Sequence, residues 1–107
     1  MVFIELPAFV RCSASLFSED EVIEIQHCLI ENPAAGSLIP GGRGLRKLRV
    51  PLPGRGKRGG ARVIYYHWVS EQRCYLVYAY AKNVAENLTQ EQLQRLAALM
   101  DEVTRYG

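Results

Sequence analysis

Eight of the thirteen Lys/Arg residues lie between Arg43 and Arg62, at Arg43, Arg46, Lys47, Arg49, Arg55, Lys57, Arg58 and Arg62. No Asp or Glu occurs between Glu31 and Glu71, so nothing nearby in sequence neutralises this charge. Guanidinium forks and ammonium groups grip phosphate, and interleaved glycines let a backbone come close to it, so the run suits a polyanion. A solvated basic hairpin loop would carry the same charge. Other chemistries have less support. The lack of carboxylates in the cationic region argues against two-metal phosphoryl chemistry. Gly54-x-Gly56-Lys57 has the wrong spacing for a Walker A loop, and no Ser/Thr follows the lysine. His27 and His67 have no acid or nucleophile beside them in a recognisable spacing. Cys12, Cys28 and Cys74 are odd in number and form no CxxC, so neither a zinc site nor a disulfide framework is expected.

The elements that must carry these cations can be read in order. Val2–Leu6 is a short β-branched strand, and Pro7 suits the first turn of a helix bearing Phe9, Cys12 and Leu16. Ser18-Glu19-Asp20-Glu21 is a capping box for a helix over Glu19–Glu31, which Asn32-Pro33 ends. The two helices are expected to form an antiparallel hairpin. Ala34–Gly44 reads as a loop. Leu45–Val50 is a strand with Lys47 and Arg49 on one face and Leu48 and Val50 on the other. A Pro/Gly-punctuated loop then leads to Ala61–Val69, rich in Val, Ile, Tyr and Trp, and Ser70-Glu71-Gln72 turns the chain into Cys74–Ala81. The Gly59-Gly60 turn is expected to be flexible, letting the loop before it close over a ligand. Thr89-Gln90-Glu91-Gln92 caps a last helix whose stripe is Leu93, Leu96, Ala97, Met100 and Val103. The order β-α-α-β-β-β-α predicts an α+β fold with a mostly antiparallel sheet, helices packed on one face and cations on the other.

A chain of 107 residues, 49% apolar and 22% charged, is expected to fold as one domain over residues 1–107. Its net charge is only +2, so the basic stretch is a segregated face on a nearly neutral body. Reduced thiols, no signal peptide and no apolar run of membrane-spanning length predict a soluble, cytoplasmic protein without a membrane partner.

Several strings resemble toxins of the RelE/HigB family, nearest the HigB type. They are Phe3-Ile4-Glu5-x-Pro7-x-Phe9, Asn32-Pro33-x-x-Gly36, Ile39-Pro40-Gly41, Gly44-Leu45-Arg46-Lys47-Leu48-Arg49, Leu52-Pro53-Gly54-Arg55-Gly56-Lys57, Gly59-Gly60-Ala61-Arg62-Val63-Ile64-Tyr65-Tyr66 and Tyr80-Ala81-Lys82-Asn83. The resemblance implies a RelE-like fold and the toxin half of a bacterial type II toxin–antitoxin pair. It implies a metal-independent, ribosome-dependent mRNA endonuclease with no cofactor, partnered by ribosome and mRNA and neutralised by a cognate helix-turn-helix antitoxin. In such an enzyme the RNA 2′-hydroxyl attacks the adjacent phosphate, and the protein supplies alignment, positive charge and two proton transfers. Carried over by motif, Lys47 and Arg49 match the paired basic positions of the family's central strand, Arg62 the arginine that opens the next strand, and Lys82 and Asn83 the polar residues after the last. Lys57, Arg62, Lys82 and Asn83 are the candidate catalytic residues. Arg43, Arg46, Lys47, Arg49, Arg55 and Arg58 are the candidate RNA-binding residues. Two positions depart from better-known RelE toxins: Asn83 replaces an arginine, and no tyrosine stands near Thr89. Tyr66, Tyr78 and Tyr80 are further candidates for proton transfer. Alternatives on the same scaffold are a ParE-like topoisomerase poison and a non-catalytic RNA- or ribosome-binding module.

Overall fold

The computed structural model describes residues 1–52, 59–85 and 87–106. Its elements are β1 (Val2–Glu5), α1 (Pro7–Leu16), α2 (Glu19–Glu31), β2 (Ser37–Leu38), β3 (Leu45–Val50), β4 (Ala61–Trp68), β5 (Arg73–Ala81) and α3 (Gln90–Tyr106). The strands form one sheet in the order β1-β5-β4-β3-β2. Only β1 and β5 pair in parallel, so the sheet is mostly antiparallel as expected.

Local chemistry sets most of the boundaries. The Ser18 side chain accepts from the Glu21 amide while the Glu21 carboxylate accepts from the Ser18 amide, closing the capping box that starts α2. Thr89 and Gln92 make the same reciprocal pair at the start of α3. Asn32, ahead of Pro33, leaves the helical region and ends α2. Gln72 adopts a left-handed conformation at the end of the 3-10 turn Val69–Glu71 and reverses the chain between β4 and β5.

The structure corrects the expected layers. Phe9, Leu16, Phe17, Ile25 and Leu29 of the α1–α2 segment pack on one face, against Val63, Tyr65, Cys74 and Leu76. Leu93, Ala97 and Met100 of α3 pack on the other, against Leu45, Ile64, Tyr75 and Val77. The helices therefore cover both faces, and α1 packs mainly on β5 rather than on α2. The expected loop before β3 also contains β2, paired antiparallel to Arg46 and Lys47.

Two close contacts fix β3 and the chain beside it. Ahead of β2, the buried Tyr65 hydroxyl donates to the Pro33 carbonyl at 2.6 Å and accepts from the Gly36 amide at 2.9 Å, pinning the chain that enters β2 alongside β3. Burial raises the Tyr65 pKa, which suits a structural hydroxyl. At the end of β3, Gly60 lies against the strand's backbone with φ +68, and a Cβ there would sit 2.1 Å from the Val50 carbonyl oxygen. The Gly60 carbonyl in turn accepts from the Lys82 amide. The Gly59-Gly60 turn is thus a packed junction of β3, β4 and β5, not the flexible hinge the sequence suggests.

Gly60→Ala is expected to destabilise the fold by about 2 kcal/mol or more, from strained backbone and steric overlap together. Urea unfolding measures this, and an unchanged midpoint would contradict the close packing. Burial also pushes the Cys74 thiol up from 9.0 to about 12. The unfolded chain therefore ionises this thiol first: the contribution is complete below pH 9.0 and is lost as pH rises toward 12. At pH 8 iodoacetamide should modify exposed Cys28 well before Cys74, which should react only on unfolding. Equal rates in the native protein would refute that burial.

Candidate RNA-binding and catalytic site

The register of β3 and β4 builds the site. Lys47 faces Ile64, and Arg49 stands directly opposite Arg62. In the next pair Arg62 faces Tyr80 of β5. Because side chains alternate along a strand, Lys47, Arg49, Arg62 and Tyr80 share the face that α3 covers only in part. Like charges directly opposite one another destabilise a sheet, and no carboxylate lies within ion-pair distance of Lys47, Arg49 or Arg62 among the described residues.

Neutral dipoles hold the inner cations instead. Arg62 is buried, and its Nη1 donates to the Gly59 carbonyl at 2.7 Å and the Ala61 carbonyl at 3.1 Å. Its Nε is buried without a hydrogen-bond partner among the described residues. Lys47 Nζ donates to Asn87 Oδ1 at 2.6 Å. Lys82 follows β5, and its stem lies across Gly59, where a Cβ would sit 2.7 Å from Lys82 Cδ. Gly59 thus brings Lys82 and Arg62 to the same corner of the sheet.

A groove of about 370 Å³ opens on this face, lined by Ser37, Ile39, Pro40, Lys47, Arg49 and Asn87. A second, of about 270 Å³, continues over Ile64, Tyr80, Leu88 and Leu93, with Lys47 and Asn87 bordering it as well. Cations and a partly apolar trough side by side can hold a phosphate and the base attached to it.

Lys47, Arg49, Arg62 and Lys82 are therefore brought together. Arg43 is not among them: it sits in a left-handed turn and its guanidinium pairs with Asp101 of α3 at 2.5 Å. Arg46 points to the opposite face, where its Nη1 donates to the Gly36 carbonyl at 2.7 Å. Asn83 is exposed in the turn after β5. Arg55, Lys57 and Arg58 lie outside the described residues. Of the candidate tyrosines, Tyr80 lines the trough, Tyr66 lies against Gly44, and Tyr78 borders a separate groove between α1 and α3. Burial, with a smaller contribution from Cys12, raises the Tyr78 pKa, so it is no ready base at neutral pH. Asn87 escaped the sequence reading, because nothing local marks a loop asparagine as the partner of a lysine forty residues away. Among the described residues no cluster of His, Cys, Asp and Glu could hold a metal ion, and no helix is long and apolar enough to cross a membrane.

This mixed α+β arrangement is that of a solved bacterial toxin. The structure is similar to that of E. coli toxin RelE, an arginine-to-alanine double mutant in the free state, with a TM-score of 0.57 and 12% sequence identity over 92% of this chain and 95% of that one. A family model described as the RelE toxin of the RelE/RelB toxin–antitoxin system matches residues 22–106. The chain belongs to the RelE toxin family and is the toxin of a toxin–antitoxin system.

Arg49→Gln removes the charge facing Arg62. It is expected to raise the stability of the free protein by about 0.2–1 kcal/mol. It should also diminish the rise in Tm that inorganic phosphate gives by binding the folded state. Lower stability together with undiminished phosphate stabilisation would show that the two arginines do not form one anion site.

Proposed function

We propose that this toxin is a metal-independent endoribonuclease that cuts ribosome-bound mRNA and is silenced by a helix-turn-helix antitoxin. The observation that supports this reading is the row Lys47, Arg49 and Arg62 on one sheet face, with no carboxylate to neutralise it among the described residues. Such a row attracts a phosphodiester and meets the charge that develops when its phosphorus becomes five-coordinate. The 2′-oxygen forms a bond to phosphorus as the bond to the 5′-oxygen breaks. One proton leaves the 2′-hydroxyl, and one arrives at the 5′-oxygen.

Roles follow from position. Lys47 and Arg49 border the groove and would hold phosphate oxygens in the ground state. Arg62 is anchored by two backbone carbonyls, so its charge is already oriented before the reaction begins. Lys82, whose stem lies beside Gly59 and Arg62, is a candidate for proton transfer, with Tyr80 the tyrosine that lines the trough; Lys57, the other candidate lysine, lies outside the described residues. The Lys82-Asn83 pair favours the HigB-like branch of the family. The phosphate grip assigned to Arg43, Arg46, Arg55 and Arg58 is expected to be weakest at Arg43 and Arg46, whose guanidinium groups already have partners.

Single-turnover cleavage of message on translating ribosomes tests this. Arg62→Ala should lower the rate roughly 100- to 1000-fold, equivalent to about 2.7–4 kcal/mol, with far less effect on ribosome binding. Arg62→Lys should not restore it, because a lysine keeps the charge but cannot satisfy two carbonyls while presenting a planar fork. Near-wild-type cleavage by either variant, with folding verified by circular dichroism, would remove Arg62 from the chemistry. Gyrase trapped on DNA, or ribosome binding without cuts, would replace the endonuclease reading altogether.

A further inference from the structure

We propose that Asn87 is a positioning residue for Lys47, holding its ammonium over the groove as a neutral acceptor so that the cation is fixed without being neutralised. This assignment rests on the endonuclease reading. A lysine has a four-carbon stem, and immobilising it costs rotamer freedom. Lys47 is half-buried, and Asn87 Oδ1 receives its Nζ at 2.6 Å. An ammonium only donates, so the contact also settles which end of the Asn87 amide faces the lysine. One of the three ammonium hydrogens is used, and two remain for phosphate oxygens.

The chain after the anchor is packed and capped. Leu88, the next residue, packs into the α3 core. Thr89 then closes the capping box of α3. Asn87 is itself exposed and stands two residues ahead of the Thr89 cap of α3, next to the packed Leu88. A carboxylate in its place would also hold the lysine, but would put a negative charge beside the site a phosphate must occupy. Because Lys47 and Asn87 border both grooves, their contact lies where the two meet, which is where a backbone phosphate would lie if the base entered the apolar trough.

The test compares single-turnover cleavage at saturation with affinity for a message blocked by 2′-O-methylation at the cut. Asn87→Ala should lower the rate about tenfold while affinity changes less than about twofold, because alignment is lost rather than charge. Asn87→Asp keeps an acceptor at the same place, so it should recover most of the rate while weakening affinity. In a Lys47→Ala background, Asn87→Ala should have no further effect. Equal rates for the Ala and Asp variants, or the full loss repeated in the Lys47→Ala background, would overturn the assignment. Should the wild-type chain cut no message, the endonuclease reading fails on its own. The anchor is then judged by exchange of the Lys47 ammonium hydrogens with water in 15N NMR. Slow exchange that is lost in Asn87→Ala supports it, and identical exchange in both proteins overturns it.

Discussion

Two arginines facing each other across neighbouring strands repel, and the rest of the molecule has to hold them there. A carboxylate between Arg49 and Arg62 would remove the strain and the attraction for anions together. Carbonyl and amide oxygens do the holding instead: Gly59 and Ala61 for Arg62, and Asn87 for Lys47. A dipole orients a cation while leaving its net charge in place, so the field of the groove stays positive. Among the described residues, the carboxylate that meets the basic run is Asp101, which pairs with Arg43 away from the grooves, on an exposed contact between a turn and the far half of α3. The framework that withstands the repulsion is a sheet buried on both sides. The α1–α2 segment covers one face and α3 part of the other, with Tyr65 pinning the chain ahead of β2 and Gly60 packed on the end of β3.

That double burial also explains what could and could not be read from the residues. Both capping boxes, the stop at Pro33, and the bounds of α2 and β3 depend on neighbours within four positions, and all stand where the local chemistry puts them. The alternation of Lys47 and Arg49 against Leu48 and Val50 likewise survives in the register. The side on which α3 packs was not legible. The run Val63-Ile64-Tyr65-Tyr66 is apolar throughout because both its faces are covered, so it carries no alternation to show which helix lies where. β2 is two residues long, too short to leave a period.

The site was legible in composition but not in detail. A cation-rich, acid-free stretch marks a candidate anion site, yet its described members divide between two faces once the strands pair. Arg46 and Lys47 are adjacent in sequence and point opposite ways. The glycines read as a hinge are a packing necessity, a distinction visible only when the Val50 carbonyl is placed beside Gly60. Asn87 gains its role solely from a strand pairing that brings the end of β5 alongside β3 through β4.

The parallel pairing of β1 with β5 orders events in time. Val2–Glu5 cannot find its neighbour until Arg73–Leu76 has been synthesised, and the α3 layer follows only after that. A chain emerging from its N-terminus must therefore wait, half-collapsed, with its first strand and two helices lacking the sheet they cover. The positive groove needs β3, β4, β5 and the root of α3 together, so it cannot form before Asn87 and Leu93 have been synthesised. Until then the nascent toxin carries its cations without the groove that gathers them.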